Sequence, residues 1–287
     1  MKYNLLKNST WLLNDQIFYK LQHLYIHLRH AKRISWPNIK KPKSFNEKML
    51  WLKLNYRNVY DSLLVDKYKV RDYVKEKVGE KYLIPLLKVY SSPSEITIEN
   101  LPQKFVLKPN HGSGWLYICR NKKEIDITAL RKKFEKWHSK NFYFIGREWQ
   151  YRNIKPVIVC ETLLEDQSNK LLDYKFFCFN GNPKYIQIDV DRFDNHKRVF
   201  YDSFWNKMPF TTLYPKYEHE IPKPSNYNEM ENIARKLSEN FAFARIDLYT
   251  LNNKVYFGEI TLFHGSGNEP FYPKEFDNIV GDDIILL

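Results

Sequence analysis

The pattern of apolar and polar positions predicts helices at the start of the chain. Apolar residues recur at helical spacing over residues 10–30. A second helix is expected to begin at Ser44, because Ser44 and Glu47 have the spacing of a capping box. A third is expected over residues 66–78, where Gly79 suits the position just after a helix end. The first part of the chain is therefore predicted to be helical.

Short apolar runs separated by turn residues follow, and such runs are typical of strands. Polar helices are expected between them at about 126–140 and at 226–241, and NGNP at 180–183 predicts a tight turn. The order of these elements predicts an α/β (α+β) protein with mixed architecture. The expected strands are residues 83–90, 105–110, 115–119, 157–165, 173–181 and 183–191.

The stretch RIDLYTLNNKVYFGEIT predicts a last hairpin that carries two carboxylates, Asp247 and Glu259, with Arg245 and Thr261 at its outer ends. Side chains alternate between the faces of a strand, so a loop with an odd number of residues centred near Asn253 would place all four on one face. A two-residue turn would place the carboxylates on opposite faces. On one face, the two carboxylates would suit Mg²⁺. The alternative is a surface ion pair between Arg245 and Asp247.

The stretch FVLKPNHGSGW combines a buried strand, a lysine at its end and a glycine loop. Gly112 and Gly114 would let backbone N–H groups approach an anion, and Lys108 would add a positive charge. The pattern GxxxxGK[ST] of the P-loop is absent. A phosphate cradle and a plain glycine turn both remain open.

Charge and composition narrow the class of protein. Among 287 residues, 46 Lys and Arg face 33 Asp and Glu, a formal net charge of +13, which favours either a polyanionic partner or simply a solvated basic surface. No RNA-recognition consensus or long basic block occurs, so we expect no nucleic-acid partner. The cysteines Cys119, Cys160 and Cys178 form no CxxC pair, which favours a reducing compartment.

No signal-peptide core and no run of 18 apolar residues is present, so the sequence predicts a cytoplasmic protein. Residues 1–40 mix Leu, Ile, Tyr and Trp with Lys, Arg and His. This segment is expected to be a packed amphipathic helix. The alternative is a peripheral contact with the inner face of the membrane. His23, His27 and His30 recur at helical spacing and are interpreted as part of a basic helix face.

In combination, these motifs resemble the ATP-grasp superfamily, and within it the TupA-like family, named for teichuronopeptide biosynthesis. The match runs in order over most of the chain from about residue 40. The resemblance implies two α/β subdomains that sandwich ATP, with a helical region at 1–65, an N-lobe with a glycine flap at 66–156 and a C-lobe with the carboxylate hairpin at 157–287. The motifs that carry it are PKSFNEKMLWLKL, DKYKVRDYV, FVLKPNHGSG, GREWQYRNIKP, DYKFFCFNGNPKYI and RIDLY…YFGEIT.

The resemblance also implies a role for each matching residue. The ATP phosphates would be held by Lys67 and Lys108, by Lys175, and by the flap His111, Gly112, Ser113 and Gly114. Adenine would lie at the hinge Glu161, Thr162 and Leu164, and ribose at Asp173. Mg²⁺ would be held by Asp247, Glu259 and Thr261, although the superfamily usually has Asn at the last position. Arg245, with Lys108, would stabilise the reacting groups. The loop His264, Gly265, Ser266 and Gly267 would bind the acceptor carboxylate.

The implied reaction is ATP-dependent ligation of a carboxylate and an amine through an acyl-phosphate. The family context suggests a uronic acid of a surface polysaccharide, such as a capsule or cell-envelope glycan, or its precursor, joined to an amino acid. Three other functions remain open. Asp189 and Asp191 form a DxD motif, which would suit a glycosyltransferase that uses a sugar nucleotide. A basic glycan-binding or nucleic-acid-binding protein and a kinase are the others.

Overall fold

A computed structural model describes residues 13–58, 60–166, 171–191 and 195–286. It confirms the mixed helix-and-sheet architecture. The helices are α1 Asp15–Ala31, α2 Phe45–Asn55, α3 Asp61–Val65, α4 Val70–Lys77, α5 Ile127–His138, α6 Tyr143–Gly146, α7 Tyr227–Ser238 and α8 Phe276–Asp282. The strands are β1 Leu86–Tyr90, β2 Phe105–Pro109, β3 Tyr117–Cys119, β4 Ile158–Thr162, β5 Asp173–Phe179, β6 Asn182–Val190, β7 Lys197–Asp202, β8 Thr211–Thr212, β9 Phe243–Leu251, β10 Lys254–Thr261 and β11 Phe271–Tyr272.

Several predicted boundaries change in the structure. The capping box at Ser44 and Glu47 is present and starts α2. The helix expected over 66–78 is α4, which begins only at Val70 because residues 66–69 form a turn, and α3 lies before that range. The side chain of Asp66 accepts the backbone N–H groups of Tyr68 and Lys69 in this turn, and such side-chain-to-backbone bonds compete with a continuous helix. The sequence did not predict β7, β8, β11 or α8.

The chain divides into two compact units. The five-stranded unit consists of Met1–Arg57, Leu172–Val255 and Ile260–Leu287, and the four-stranded unit consists of Asn58–Leu171 and Tyr256–Glu259. This division differs from the predicted boundaries. The first helices belong with the five-stranded unit, and β4 belongs with the four-stranded unit because it pairs with both β1 and β2.

The sheet of the five-stranded unit has the order β10-β9-β5-β6-β7. All seven residues of β5 are buried, so both of its faces are covered. On one face Phe176 lies near Tyr227 of α7, and the Cys178 thiol contacts the carbonyl of Ala234 in the same helix. On the other face Phe177 packs on the ring of His264, with 4.6 Å between ring centroids. The apolar run of β5 therefore encodes a strand that is buried on both faces.

Phe45, at the start of α2, anchors this second face. Its ring lies within 5.1–6.4 Å of the rings of Phe177, Phe179, Phe243 and Phe271, measured between centroids. Helix α8 approaches closely at Gly281, where a Cβ atom would come within 2.5 Å of the backbone nitrogen of Phe45. Aromatic packing thus fixes α2 beneath the sheet.

Helix α1 buries Tyr19, His23 and His27. Tyr19 packs in one cluster with Leu50 of α2, and Nδ1 of His23 lies 3.4 Å from the Gly267 carbonyl. Burial lowers the pKa of His23 to about 4 and that of His27 to about 3. Both rings are therefore neutral at neutral pH, and the prediction of a basic histidine face is wrong for these two residues. None of the described helices is long and apolar enough to cross a membrane.

The four-stranded unit has a sheet with the order β1-β4-β2-β3. Its core contains Phe105 and Leu107 of β2, Cys160 of β4 and Phe134 of α5, all fully buried. Lys108 and Val106 occupy the alternate, half-buried positions of β2. The alternation in FVLKP therefore directs the lysine away from the core.

The last hairpin differs from the odd-loop expectation. Its turn consists of two residues, Asn252 and Asn253, both with left-handed φ angles of 51° and 60°, and Asn tolerates this conformation. The buried positions of β10 are Val255 and Phe257 and then Ile260, so their alternation is interrupted at residues 258–259. An interruption of one residue moves the following side chains to the other face.

Candidate functional site

Charged side chains cluster on one face of the five-stranded sheet, on neighbouring strands. Lys175 on β5 pairs across the sheet with Asp247 on β9 and with Gln187 on β6. Asp189 on β6 pairs with Arg198 on β7. We call the following residues the sheet-face cluster: Asp173, Lys175, Asp189, Arg198, Arg245, Asp247, His264 and Glu269. Apart from the neutral histidine, it contains four carboxylates and three cations.

Asp247 lies between two cations. Its Oδ1 accepts the Arg245 Nε–H at 2.7 Å, and its Oδ2 accepts the Arg245 Nη2–H at 2.8 Å and the Lys175 ammonium at 2.9 Å. Lys175 also donates to Asp173. Burial raises the pKa of Asp247, but the charges of Arg245 and Lys175 outweigh it and hold the pKa below its ordinary value. Asp247 is therefore ionised, and its pair with Arg245 is buried rather than on the surface.

Arg245 is held on its other side by a histidine. Its Nη1 donates to Nδ1 of His264 at 2.9 Å, since a guanidinium has no acceptor. The proton of the His264 ring therefore sits on Nε2, which donates to Oε2 of Glu269 at 3.1 Å. Burial lowers the pKa of His264, which keeps the ring in this neutral form.

Glu269 is fixed in turn by Arg198 and Thr212. Its Oε2 accepts the Arg198 Nη1–H at 2.7 Å and the Thr212 hydroxyl at 3.0 Å. Arg198 also donates from Nε to Oδ1 of Asp189 at 2.7 Å. A continuous chain of hydrogen bonds thus runs from Asp189 to Arg245.

The predicted acceptor loop, His264–Gly267, is a tight turn in which residues 265–267 all have positive φ angles. Lys53 of α2, with no exposed surface, donates to the Ser266 carbonyl at 3.1 Å and to its hydroxyl at 2.8 Å. The Ser266 N–H donates to the Phe263 carbonyl. Polar groups of Ser266 therefore hold the loop in place. Binding of the acceptor carboxylate by this loop remains a prediction.

In the four-stranded unit, the two predicted phosphate-binding lysines lie near carboxylates. The Lys108 ammonium is 2.6 Å from Oε2 of Glu161, and Arg71 donates to Oε1 of the same carboxylate at 2.9 Å. Lys67 donates to the Gly112 carbonyl and lies 3.9 Å from Glu259. Burial lowers the pKa of Lys67, and the negative charge of Glu259 partly offsets this shift.

The predicted flap follows β2. His111 is buried, and its Nε2 lies 3.3 Å from the Trp137 carbonyl. A side chain at Gly112 would overlap the Trp115 ring, and Gly114 has a φ of 72°, which favours glycine. Ser113 between them is exposed. Gly114 is therefore favoured by its backbone conformation and Gly112 by the close Trp115 ring, whichever ligand the loop binds.

The predicted adenine hinge is only partly available. The Thr162 N–H already donates to the Pro85 carbonyl at 3.1 Å, and Leu164 lies in the irregular segment after β4. The Glu161 side chain pairs with Lys108 and Arg71. The Thr162 N–H is therefore not free to bind adenine, and a contact of this segment with adenine would have to use other backbone groups.

The DxD motif does not present two open carboxylates. Asp189 is buried, and its Oδ2 accepts the Gln187 amide at 3.0 Å in addition to the bond from Arg198. Burial raises the pKa of Asp189, but hydrogen bonds from His196 and Arg198 and the charge of Arg198 hold it below its ordinary value. Asp191 is exposed, with a φ of 50°. Asp189 therefore serves the internal network, which argues against the glycosyltransferase alternative.

Sequence reasoning missed Lys53, Arg198 and Glu269. Lys53 lies within a motif that signalled the family, but a lysine on an amphipathic helix is ordinarily solvated. Arg198 lies on β7, which was not predicted, and Glu269 lies in an irregular segment. A buried charge has no signature in a single sequence, because its partners are distant along the chain.

A comparison with models of known protein families identifies the family. A family model described as TupA-like ATPgrasp matches residues 47–285. No curated protein matched the sequence. The resemblance drawn from the motifs is thereby confirmed.

Solved structures with similar folds are ATP-grasp ligases at low identity. The D-alanine–D-alanine ligase from Helicobacter pylori is 20% identical, with a TM-score of 0.41, over 71% of this chain and 53% of that one. The D-alanine–D-alanine ligase from Bacillus anthracis complexed with ATP is 14% identical, with a TM-score of 0.44, over 77% and 66%. The ligase PsnB complexed with a phosphomimetic precursor variant, Mg and ADP is 10% identical, with a TM-score of 0.44, over 84% and 66%. The chain thus spans between half and two thirds of the length of these relatives. With the family match over most of its length, the chain belongs to the TupA-like ATP-grasp family.

Proposed function

We propose that this protein is an ATP-dependent ligase that joins a carboxylate to an amine through an acyl-phosphate. The observation that carries the proposal is the ionised Asp247, buried between Arg245 and Lys175 on β9 and β5. Burying such a group is costly unless it is paired. Its placement in the sequence motif of an ATP-grasp protein supports a functional role rather than a purely structural one.

In the proposed reaction, a carboxylate oxygen of the substrate attacks the γ-phosphorus of ATP, and ADP leaves. The amine nitrogen then attacks the carbonyl carbon, phosphate leaves, and the nitrogen loses a proton. Charge accumulates on phosphoryl oxygens and on the tetrahedral adduct. Lys67 and Lys108 are proposed to neutralise the phosphates, and Arg245 the adduct.

Mg²⁺ fits the proposed ligands in chemistry. Asp247 is held ionised, Glu259 is a partly exposed carboxylate, and Thr261 adds a hydroxyl at the end of β10. Within the described part of the chain, no three His, Cys, Asp or Glu side chains form a ready metal site. Mg²⁺ commonly takes only one or two carboxylates and completes its shell with phosphate oxygens and water. When bound, it would neutralise charge on the triphosphate.

The finer proposal concerns the substrates. We propose a uronic acid of a surface polysaccharide or its precursor as the carboxylate and an amino acid as the amine. The family name and the net charge of +13 support an acidic glycan. The ribose role of Asp173 and the acceptor role of His264–Gly267 belong to the same proposal.

A nucleotide panel tests the proposed function first. Thermal unfolding would be followed with Mg²⁺ plus ATP, ADP, GTP, UDP-glucose or UDP-glucuronate. We expect a Mg²⁺-dependent rise in Tm with ATP, since a ligand at 100 times its Kd adds about 2.7 kcal/mol. ADP release would then be screened with uronates and amino acids. A rise in Tm with UDP-sugars and none with ATP would contradict the ligase proposal.

Replacing Lys108 with methionine is expected to weaken ATP binding about 10- to 150-fold, because a charge-assisted contact contributes about 1.5–3 kcal/mol. The change also leaves Glu161 with Arg71 as its cationic partner, so unfolding by urea would be measured in parallel. The matched control is Lys104→Met, because the Lys104 ammonium is on an exposed side chain, 2.6 Å from the Glu165 carboxylate. Equal ATP affinity in both variants would remove Lys108 from the phosphate site.

A further inference from the structure

The outward face of α1 is apolar. Tyr19, His23 and His27 form its buried side, and at 100° per residue the opposite side would ordinarily be polar. Instead it carries an apolar stripe of half-exposed side chains with spacings of four, four and three residues. The stripe consists of Ile17 at 50% exposure, Leu21 at 44%, Tyr25 at 38% and Leu28 at 46%.

The stripe continues beyond the helix. Ile34 is 73% exposed and Trp36 is 57% exposed, in the irregular segment that follows α1. Single exposed apolar residues are normal on protein surfaces, but a contiguous row marks a contact surface. We call these six residues the apolar stripe of α1.

The surroundings of the stripe are strongly basic. Between residues 13 and 43 the chain carries seven Lys and Arg against one acid, Asp15, which lies 3.8 Å from Arg57. Five of these cations are exposed: Arg29, Lys32, Lys40, Lys41 and Lys43. Lys20 and Arg33 are half-buried.

We propose that the apolar stripe of α1 docks on an anionic lipid bilayer. An apolar face rimmed by Lys and Arg is the arrangement of helices that lie in the membrane interface, and Trp favours that depth. Two copies of the chain meeting through this face would bring fourteen cations together, which opposes self-association. The surface lies before the family match at 47–285 and is independent of the proposed ligase activity.

Vesicle sedimentation with the full chain tests the proposal. We expect the protein to bind vesicles of phosphatidylcholine with phosphatidylglycerol, to bind pure phosphatidylcholine weakly, and to lose binding at high salt. Leu21→Ser with Leu28→Ser should weaken binding at least about 10-fold, because apolar burial is lost. The matched control is Phe204→Ser, which removes an 83% exposed ring outside the stripe.

Charge is tested separately. A variant with glutamine at Lys32, Lys40 and Lys41 should bind the anionic vesicles more weakly. The control variant, with glutamine at the exposed Lys132, Lys136 and Lys140 of the α5 region, should have a smaller effect. ADP release in solution should be equal in all these variants. The proposal is overturned if anionic vesicles fail to bind the protein. It is also overturned if the Leu21/Leu28 variant binds normally, or if that variant instead abolishes a concentration-dependent dimer.

Discussion

Replacing Asp247 with asparagine is expected to lower turnover at least about 100-fold and to destabilise the fold. Loss of a Mg²⁺ ligand removes several kcal/mol of charge stabilisation in the transition state, and about 3 kcal/mol corresponds to about 100-fold in rate. The fold is affected because Arg245 and Lys175 would then face an uncharged amide, and removing one partner of a buried pair costs about 3–5 kcal/mol. ADP formation and urea unfolding would be measured together.

The change Glu259→Gln separates the two effects. The Glu259 side chain is 34% exposed and lies 3.9 Å from Lys67, so its contribution to stability is expected to be small. Turnover should still fall about 100-fold. Glu135→Gln, at an exposed position of α5, is the matched control and should be active. If Asp247→Asn and Glu259→Gln both fold and turn over at the wild-type rate, these residues are not the Mg²⁺ ligands.

Replacing Glu269 with alanine is expected to lower kcat about 5- to 30-fold with little change in the KM for ATP. The carboxylate holds the Nε2–H of His264, and His264 Nδ1 accepts from the Arg245 guanidinium. Without the Glu269 carboxylate, His264 would no longer be held against Arg245, which would keep only its bonds to Asp247. A loss of about 1–2 kcal/mol in the transition state gives that factor. Initial rates as a function of ATP concentration would measure kcat and KM separately.

The change Glu269→Gln serves as the conservative variant. A glutamine oxygen can still accept the His264 Nε2–H, so we expect this variant to recover part of kcat. A purely structural role would instead lower both variants in proportion to their loss of stability. Wild-type kcat in Glu269→Ala would contradict the positioning role.

The Glu269 carboxylate should also make the free energy of unfolding depend on pH in the acidic range. Burial raises the pKa of Glu269, but the charge of Arg198 and the hydrogen bonds from His264 and Thr212 outweigh it, so the folded-state pKa lies below the ordinary 4.5. The stabilisation is therefore complete above pH 4.5 and is lost as the pH falls below it. The difference in unfolding free energy between the wild type and Glu269→Ala should shrink on acidification.

Local chemistry in the sequence was sufficient for most elements and for the family. The capping box at Ser44 starts α2, and the Asn180–Gly181 turn joins β5 to β6 with left-handed φ angles at both residues. These signals depend on neighbours within four residues, so they can be seen without the fold. The motif order also carried the resemblance that the family match confirms.

The arrangement of the candidate site could not be predicted from local patterns, because its contacts join residues that are distant along the chain. Arg198 and Glu269 are 71 positions apart, and Lys53 and Ser266 are 213 apart. The hairpin turn obeys a local rule, yet the break in the buried alternation of β10 at residues 258–259 is seen only in the folded structure. The sequence by itself determined the elements, the family and the candidate residues. Only the tertiary structure decided which charges are buried together, because burial and pairing join residues that are distant along the chain.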